Sequence, residues 1–176
     1  NASGGSGSYT YSWSSSPSGF TSTDANPMIS PTVNTIYTVT VNDGFNTVTS
    51  NLSITVNALP TVSVSASPAT ICTGANSTLT ASGAATYAWD NGLGTGNPKT
   101  VNPSSTTTYN VTGTDANGCA NTASVQVTVN PLPNVSVSAS PATICTGANS
   151  TLTASGAASY AWDNGLGTGN PKTVNP

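Results

Sequence analysis

The chain has no histidine, no arginine and no glutamate, which removes most of the side chains that carry general acid–base catalysis. Charged residues are 4% of the sequence, and the net charge is −3 at pH 7. The two cations and five anions are Lys99, Lys172, Asp24, Asp43, Asp90, Asp115 and Asp163. Because so few cations offer no basic face to phosphates, we expect no nucleic-acid partner. Because most acid–base side chains are missing, we also expect no enzymatic activity in this segment.

Long apolar runs and helical periodicity are also missing. No stretch approaches the roughly 18 apolar residues of a membrane-crossing helix, so we expect no membrane span in this segment. Serine, threonine and asparagine supply the polarity that charge does not, and threonine favours strands. The sequence therefore predicts an all-β chain.

An internal repeat sets the domain organisation. Residues 61–103 recur as residues 134–176, and the copies differ only at Thr61/Asn134 and Thr86/Ser159. The offset is 73 residues (Cys145 minus Cys72), which is typical of an array of like units. We predict a partial repeat at 1–58 without its N-terminal strand, a complete repeat at 59–131, and a partial repeat at 132–176 without its C-terminal half. Asn1 and Pro176 are accordingly expected to be limits of a segment of a longer protein.

Alternating apolar and polar residues predict the strands. In the first repeat they place strands at 9–13, 35–42 and 47–57, with Leu52 facing inward and a loop over 17–31. Glycine-rich residues 90–96 predict another loop. In the complete repeat the predicted strands lie near 62–64 and at 71–72, 77–82, 87–89, 99–101, 107–112 and 123–129. Seven short strands indicate tandem immunoglobulin-like β-sandwiches, in which two sheets bury each other's apolar faces.

Aromatic side chains in these strands have two interpretations. Trp89 and Trp162, each flanked by tyrosine and alanine, could stack on a sugar, or they could be core residues of the sandwich. We favour the core because tryptophan recurs within a strand of each repeat. The predicted core aromatics are Trp13, Trp89, Trp162, Tyr37 and Tyr109.

The three cysteines predict a structural disulfide. Cys72 and Cys119 fall in the same repeat, and Cys145 repeats Cys72, so that its partner would lie beyond Pro176. A bridge closing such a loop would contribute about 4 kcal/mol to stability and would indicate an oxidising compartment. A redox pair or a metal site is the alternative, although the chain has no CxxC motif.

Most aspartates precede glycine within three residues, a spacing typical of turns in which the carboxylate binds its own backbone. A calcium ion bound by Asp115 and Asn117 is a weak alternative, because calcium needs six or more oxygens. We predict no other cofactor.

The complete repeat contains a series of short motifs that can be compared with known repeats. They are Ile71-Cys72, Leu79-Thr80-Ala81, Tyr87-x-Trp89, Thr107-Thr108-Tyr109, Asp115-Ala116-Asn117-Gly118-Cys119 and Asn130-Pro131-Leu132-Pro133. Together these motifs resemble the PKD-like and immunoglobulin-like repeats of large secreted surface proteins of Bacteroidota, including gliding-motility adhesins exported by type IX secretion. The PKD hallmark Trp-Asp-x-Gly-Asp-Gly is present only as Trp89-Asp90-Asn91-Gly92, without its second aspartate.

The resemblance implies a structural or adhesive stalk at the cell surface. Its implied partners are neighbouring repeats of the same chain, and surface polysaccharide or other cell-surface proteins. Two alternatives stay open: a ligand- or glycan-binding accessory module of a secreted enzyme, and a subunit that polymerises into an extracellular filament.

Overall fold

The computed structural model describes residue 4 and residues 7–176, and within them the protein is all β with no helix. Accordingly, none of the described residues forms a long apolar helix of the kind that crosses a membrane. The chain divides into two compact units, which comprise Asn1–Thr61 with Thr114–Asn121 and Val62–Gly113 with Thr122–Pro176. The predicted repeat boundaries differ from this division and stay a prediction.

The first unit contains one antiparallel sheet with the strand order β2-β1-β3-β4. A tight turn joins β3 to β4, where Asp43 N donates to Asn46 O at 3.1 Å and Gly44 takes a φ of 92°. Glycine suits that turn because it has no Cβ to oppose a positive φ. The strands are β1 Thr10–Ser16, β2 Thr21–Ser22, β3 Thr35–Asn42 and β4 Thr47–Ile54.

Residues 59–131, the predicted complete repeat, form two sheets, with the orders β10-β7-β5 and β6-β12-β11-β8-β9. Alternation of small polar and apolar residues turns one face of each strand inward, as in β7, where every second residue is buried. The strands are β5 Ser63–Ser67, β6 Thr70–Cys72, β7 Ser77–Ser82, β8 Thr86–Trp89, β9 Gly94–Thr95, β10 Lys99–Val101, β11 Thr107–Thr114 and β12 Ala120–Asn130.

A single apolar core joins these two sheets. Leu79 comes from the three-stranded sheet and Val111 and Val127 from the five-stranded sheet, and all three are fully buried. Around them the core contains Ile71, Ala81, Trp89, Val101 and Tyr109. Side chains from both sheets meeting in one core give a β-sandwich-like arrangement.

The entering segment of the complete repeat contributes to both sheets. β5 pairs with β7 in the three-stranded sheet, whereas β6 pairs in parallel with the end of β12, where Ile71 lies opposite Val129. Thr128 N donates to Ala69 O at 2.9 Å, and Thr73 N donates to Asn130 O at 3.0 Å. The start of the repeat is therefore hydrogen-bonded to the strand by which the chain leaves it.

Residues 134–176 form the same local pairings again. β13 pairs with β14 and β14 with β17 in the registers of β5, β7 and β10, while β15 and β16 form a two-stranded sheet. The strands are β13 Ser136–Ser140, β14 Ser150–Ser155, β15 Ala161–Trp162, β16 Gly167–Thr168 and β17 Lys172–Val174.

Two predicted loops and one predicted side-chain direction differ from this structure. The predicted loops at 17–31 and 90–96 each contain a two-residue strand, β2 and β9, because a neighbouring strand offers backbone partners to a segment without an alternating apolar pattern. Leu52 lies on the apolar face of β4 but is 59% exposed, so its inward prediction is wrong. Alternation identifies the face on which a side chain lies, but not whether another layer covers that face.

Candidate functional site

The aspartates of the two long hairpins stabilise their own turns. Asp43 Oδ1 accepts hydrogen bonds from the backbone N–H of Phe45 and of Asn46 at 2.9 and 2.7 Å. Asp115 Oδ1 accepts from the N–H of Asn117 at 2.8 Å and of Cys119 at 2.9 Å. Each of these carboxylates accordingly has a structural partner within its turn, which is the role that the sequence predicted.

A third carboxylate ties a loop to the core strand β11. Asp90 accepts from the backbone N–H of Asn110 at 3.0 Å and from its side-chain Nδ2 at 2.6 Å. Tyr109, beside Asn110, is buried, and this burial together with the nearby Asp90 carboxylate raises the pKa of its hydroxyl. The arrangement holds a loop against a strand.

Metal-binding residues do not gather in the described part of the chain. No group of three or more His, Cys, Asp or Glu side chains lies within reach of one ion there. Asn117, the predicted second calcium ligand, contributes its backbone N–H to Asp115. Calcium binding by Asp115 and Asn117 stays a weak hypothesis that rests on one carboxylate.

The predicted Cys72–Cys119 disulfide is wrong in this structure, where Cys72, Cys119 and Cys145 are all free thiols. Cys72 lies opposite Asn130, the last residue of β12, whereas Cys119 directly precedes Ala120, the first residue of the same strand. An 11-residue strand separates its ends by about 33 Å, and a disulfide needs Cα atoms within about 7 Å. Spacing along the sequence did not reveal that the two cysteines lie at opposite ends of one strand.

The predicted core aromatics occupy similar sites with different coverage. Trp89, Tyr37 and Tyr109 are buried, whereas Trp13 and Trp162 are half-buried. Each indole N–H donates to a loop carbonyl: Trp89 to Gly96 O at 2.8 Å, Trp162 to Gly169 O at 2.7 Å and Trp13 to Asp24 O at 2.9 Å. The three tryptophans therefore hold equivalent loops, and of the three only Trp89 is buried.

The first sheet carries an uncovered apolar surface, here called the open face. Side chains that pair across its strands lie next to one another. Tyr11 pairs with Val41, which pairs with Val48 on the next strand. Trp13 pairs with Val39, and Tyr37 pairs with Leu52. The open face comprises Tyr11, Trp13, Val39, Val41, Val48 and Leu52.

A groove of about 880 Å³ lies over the open face. The loop residues Ala25, Asn26, Pro27 and Ile29 line it together with the strands. Val48 and Leu52, on the strand of the groove farthest from β2, are 67% and 59% exposed. Phe20 packs edge-on against Tyr37 with ring centroids 5.5 Å apart. The lining of the groove is mostly apolar, and Asp43 and Asn46 contribute polar groups at the turn that joins β3 to β4.

Sequence reasoning identified Trp13 of the open face and Tyr37, which lines the groove, but placed both in a closed core. Alternation gave no signal for the exposure of Val48 and Leu52. No family model matches the chain, and no curated protein matches it.

Proposed function

We propose that this chain is a length of structural and adhesive stalk from a large extracellular cell-surface protein, built from tandem immunoglobulin-like repeats. The observation that carries the proposal is the recurrence of one strand pairing at a fixed offset. Val64 pairs with Ala81 and Val137 with Ala154, and the edge strands β10 and β17 pair in matching registers. Repetition of one folded unit extends a chain without adding a new activity.

The surface chemistry supports a spacer role over a catalytic one. Exposed strand positions carry serine and threonine, as in β5 and β7, where Ser63 and Ser82 exchange a 2.8 Å hydrogen bond across the strands. The aspartate carboxylates of the hairpins bind backbone amides of their own turns. The finer identity, a PKD-like repeat of a type IX-secreted gliding-motility adhesin of Bacteroidota, is part of this proposal and rests on the motif resemblance.

The pairing of β6 with β12 supports a role under tension. A force that pulls the chain apart acts through β5 and then β6 at the start of the repeat and through β12 at its end, and β6 and β12 are parallel neighbours. Pulling parallel neighbours in opposite directions shears their hydrogen bonds together instead of opening them one at a time. The complete repeat is therefore built to resist extension along the chain.

Surface exposure is the first test of this function. An antibody raised against the purified chain should stain intact cells of the organism that encodes it, and deleting the encoding region should weaken attachment of those cells to a surface. An antibody against a cytoplasmic protein is the control for leaky cells. Staining that requires permeabilised cells would contradict the proposal.

Resistance to force is the second test. Stretching the chain by its ends should unfold the complete repeat in one event that releases roughly 25 nm of contour length. Thr73→Pro removes the N–H that bonds Asn130 O and should lower the force of that event. Thr146→Pro makes the same change at the matching position of the third repeat and is the control. Equal forces for both variants would show that β6 and β12 do not resist the load.

A further inference from the structure

Strand β5 lies at an edge of the three-stranded sheet of the complete repeat. In the described part of the chain, the sheet order β10-β7-β5 gives β5 only β7 as a neighbour. The opposite edge, β10, has three residues, follows Pro98 and contains Lys99, whereas β5 has five residues with neither a charge nor a proline. Lysine and proline are residues that keep a sheet edge from pairing with another chain. Of these two edges, β5 is therefore the one without such protection.

The bonds made by Asn97 show which backbone groups of β5 point outward. Asn97, just before β10, accepts a hydrogen bond from Ala81 N and donates one to Ala81 O, so these groups of β7 point toward β10. In an antiparallel pair, residues that exchange backbone hydrogen bonds alternate with residues that do not. Val64 lies opposite Ala81. Val64 and Ala66, two residues farther on, therefore direct their N–H and C=O groups away from β7, toward the free edge.

The side chains of β5 leave this edge accessible. Ser63, Ser65 and Ser67 are exposed on the outer face of the sheet. Val64 and Ala66 are half-buried and pack against the core on the inner face. A second strand can therefore approach the edge without displacing a large side chain. Because no side chain of β5 is charged, two copies of the strand can also lie side by side without charge repulsion.

We propose that β5 pairs antiparallel with β5 of a second copy of this chain. In this pairing Ser65 lies opposite Ser65 of the second copy, and Val64 lies opposite Ala66 of the second copy. The outward N–H and C=O groups of Val64 and Ala66 then all find backbone partners. The same patch serves on both chains, as in a two-fold symmetric contact. The two three-stranded sheets become one continuous sheet, and Val64 gains an apolar neighbour.

Strand β13 presents the same edge 73 residues later. It has the sequence of β5, and Val137 lies opposite Ala154 as Val64 lies opposite Ala81. Asn170 makes the same two hydrogen bonds to Ala154. Several such edges on one chain can bind a neighbouring chain together, so that contacts that are weak singly add to a strong association. The proposed contact joins chains side by side and does not depend on the stalk function.

Single cysteines along the outer face of β5 test the proposed register. The variants are Ser63→Cys, Ser65→Cys and Ser67→Cys, each at an exposed position where folding should be preserved. In the proposed pairing, the Cα atoms of the two Ser65 residues lie about 4.5 Å apart, within the range of a disulfide. Glutathione disulfide is the oxidant, and non-reducing gels measure the rate at which linked pairs of chains form. The native cysteines are first replaced by serine at Cys72, Cys119 and Cys145.

The rates should follow the register. Ser65→Cys should form linked pairs at least about tenfold faster than Ser63→Cys or Ser67→Cys alone, because only residue 65 lies opposite its own copy. A mixture of Ser63→Cys and Ser67→Cys, at the same total concentration, should regain a fast rate, because these two positions lie opposite each other. Equal rates for the three single variants, or a mixture that reacts no faster than its components, would overturn the proposal.

A proline substitution tests the backbone hydrogen bonds themselves. Val64→Pro removes an outward N–H and leaves the pairing with β7 in place, so the repeat should fold, as the fluorescence of Trp89 would show. Combined with Ser65→Cys, it should slow cross-linking at least about fivefold. Val64→Thr keeps both the N–H and the branched side chain and is the matched control. A folded Val64→Pro variant that cross-links as fast as this control would also overturn the proposal.

Discussion

At the residue scale, Leu79 and Leu152 differ in burial although they occupy matching positions of the repeated sequence. They share their flanking sequence and cross-strand register, yet Leu79 is fully buried and Leu152 is half-buried. Leu79→Ala should lower the free energy of unfolding of the complete repeat by about 2–5 kcal/mol, through lost apolar burial and the cavity that remains. The measurement is urea unfolding followed by fluorescence with Trp13 and Trp162 replaced by phenylalanine, so that only Trp89 reports.

Leu152→Ala is the matched control in that experiment. Because Leu152 lies outside the core around Trp89, its truncation should change the Trp89 transition by less than about 0.5 kcal/mol. Equal losses for both leucines would mean that the third repeat unfolds together with the complete one.

The cysteines give a second prediction at this scale. Protein purified without reductant and then denatured should react with three equivalents of a maleimide, because all three thiols are free. Cys72→Ser should leave stability within about 0.5 kcal/mol, since Cys72 is exposed, whereas loss of a native disulfide costs about 2–5 kcal/mol. Recovery of a peptide pair joined through Cys72 and Cys119 would contradict the structure.

At the element scale, three strands were predicted at their observed bounds. β3, β7 and β10 agree residue for residue, and in β3 branched and aromatic residues alternate with threonine. β1, β5 and β12 also alternate, but their observed bounds differ from the predicted ones. β9 and β2 were missed because Gly94-Thr95 and Thr21-Ser22 have no such pattern and depend on the strands beside them. These two strands form because a neighbouring strand pairs with them, and the local sequence pattern does not predict that pairing.

The open face shows that the sequence pattern also could not predict the exposure of the candidate site. Trp13 and Tyr37 were recognised as facing inward, and Tyr37 is buried. Whether a second sheet covers such a face depends on residues elsewhere in the chain, and alternation carries no information about them. For the same reason the cysteine spacing suggested a bridge between residues that β12 holds about 33 Å apart.

One side chain extends the pairing of β10 with β7 beyond the strand. Asn97 accepts a hydrogen bond from Ala81 N at 2.9 Å and donates to Ala81 O at 2.9 Å, so its amide replaces a backbone partner. Asn97→Ala should lower the stability of the complete repeat by about 1–3 kcal/mol, because both groups of a buried residue lose their partner. Urea unfolding measures the loss.

The third repeat contains the control for Asn97. Asn170 makes the same pair of bonds to Ala154, at 2.8 and 2.7 Å. Asn170→Ala should leave the Trp89 transition unchanged. Asn97→Gln should be destabilised like Asn97→Ala, because the longer side chain misplaces the amide. An unchanged transition in Asn97→Ala would mean that water satisfies Ala81.

At the scale of the whole molecule, the scarcity of charge decides which interactions hold the fold together. The chain has two lysines and five aspartates, and its net charge is only −3. Asp43, Asp90 and Asp115 accept hydrogen bonds from backbone N–H groups, and the core of residues 59–131 is apolar. Stability therefore depends on apolar burial and hydrogen bonding, with little contribution from pairs of opposite charges.

That dependence predicts how salt affects stability. Raising sodium chloride from about 0.05 to 0.5 M shortens the range of charge interactions to a few ångströms, yet the free energy of unfolding of residues 59–131 should change by less than about 0.5 kcal/mol. Sulfate should raise that free energy, because sulfate is excluded from apolar surface and favours burial. The measurement is urea unfolding followed by the fluorescence of Trp89. A steep loss of stability in sodium chloride would show that charge pairs hold the fold, and apolar burial would then not be its main support.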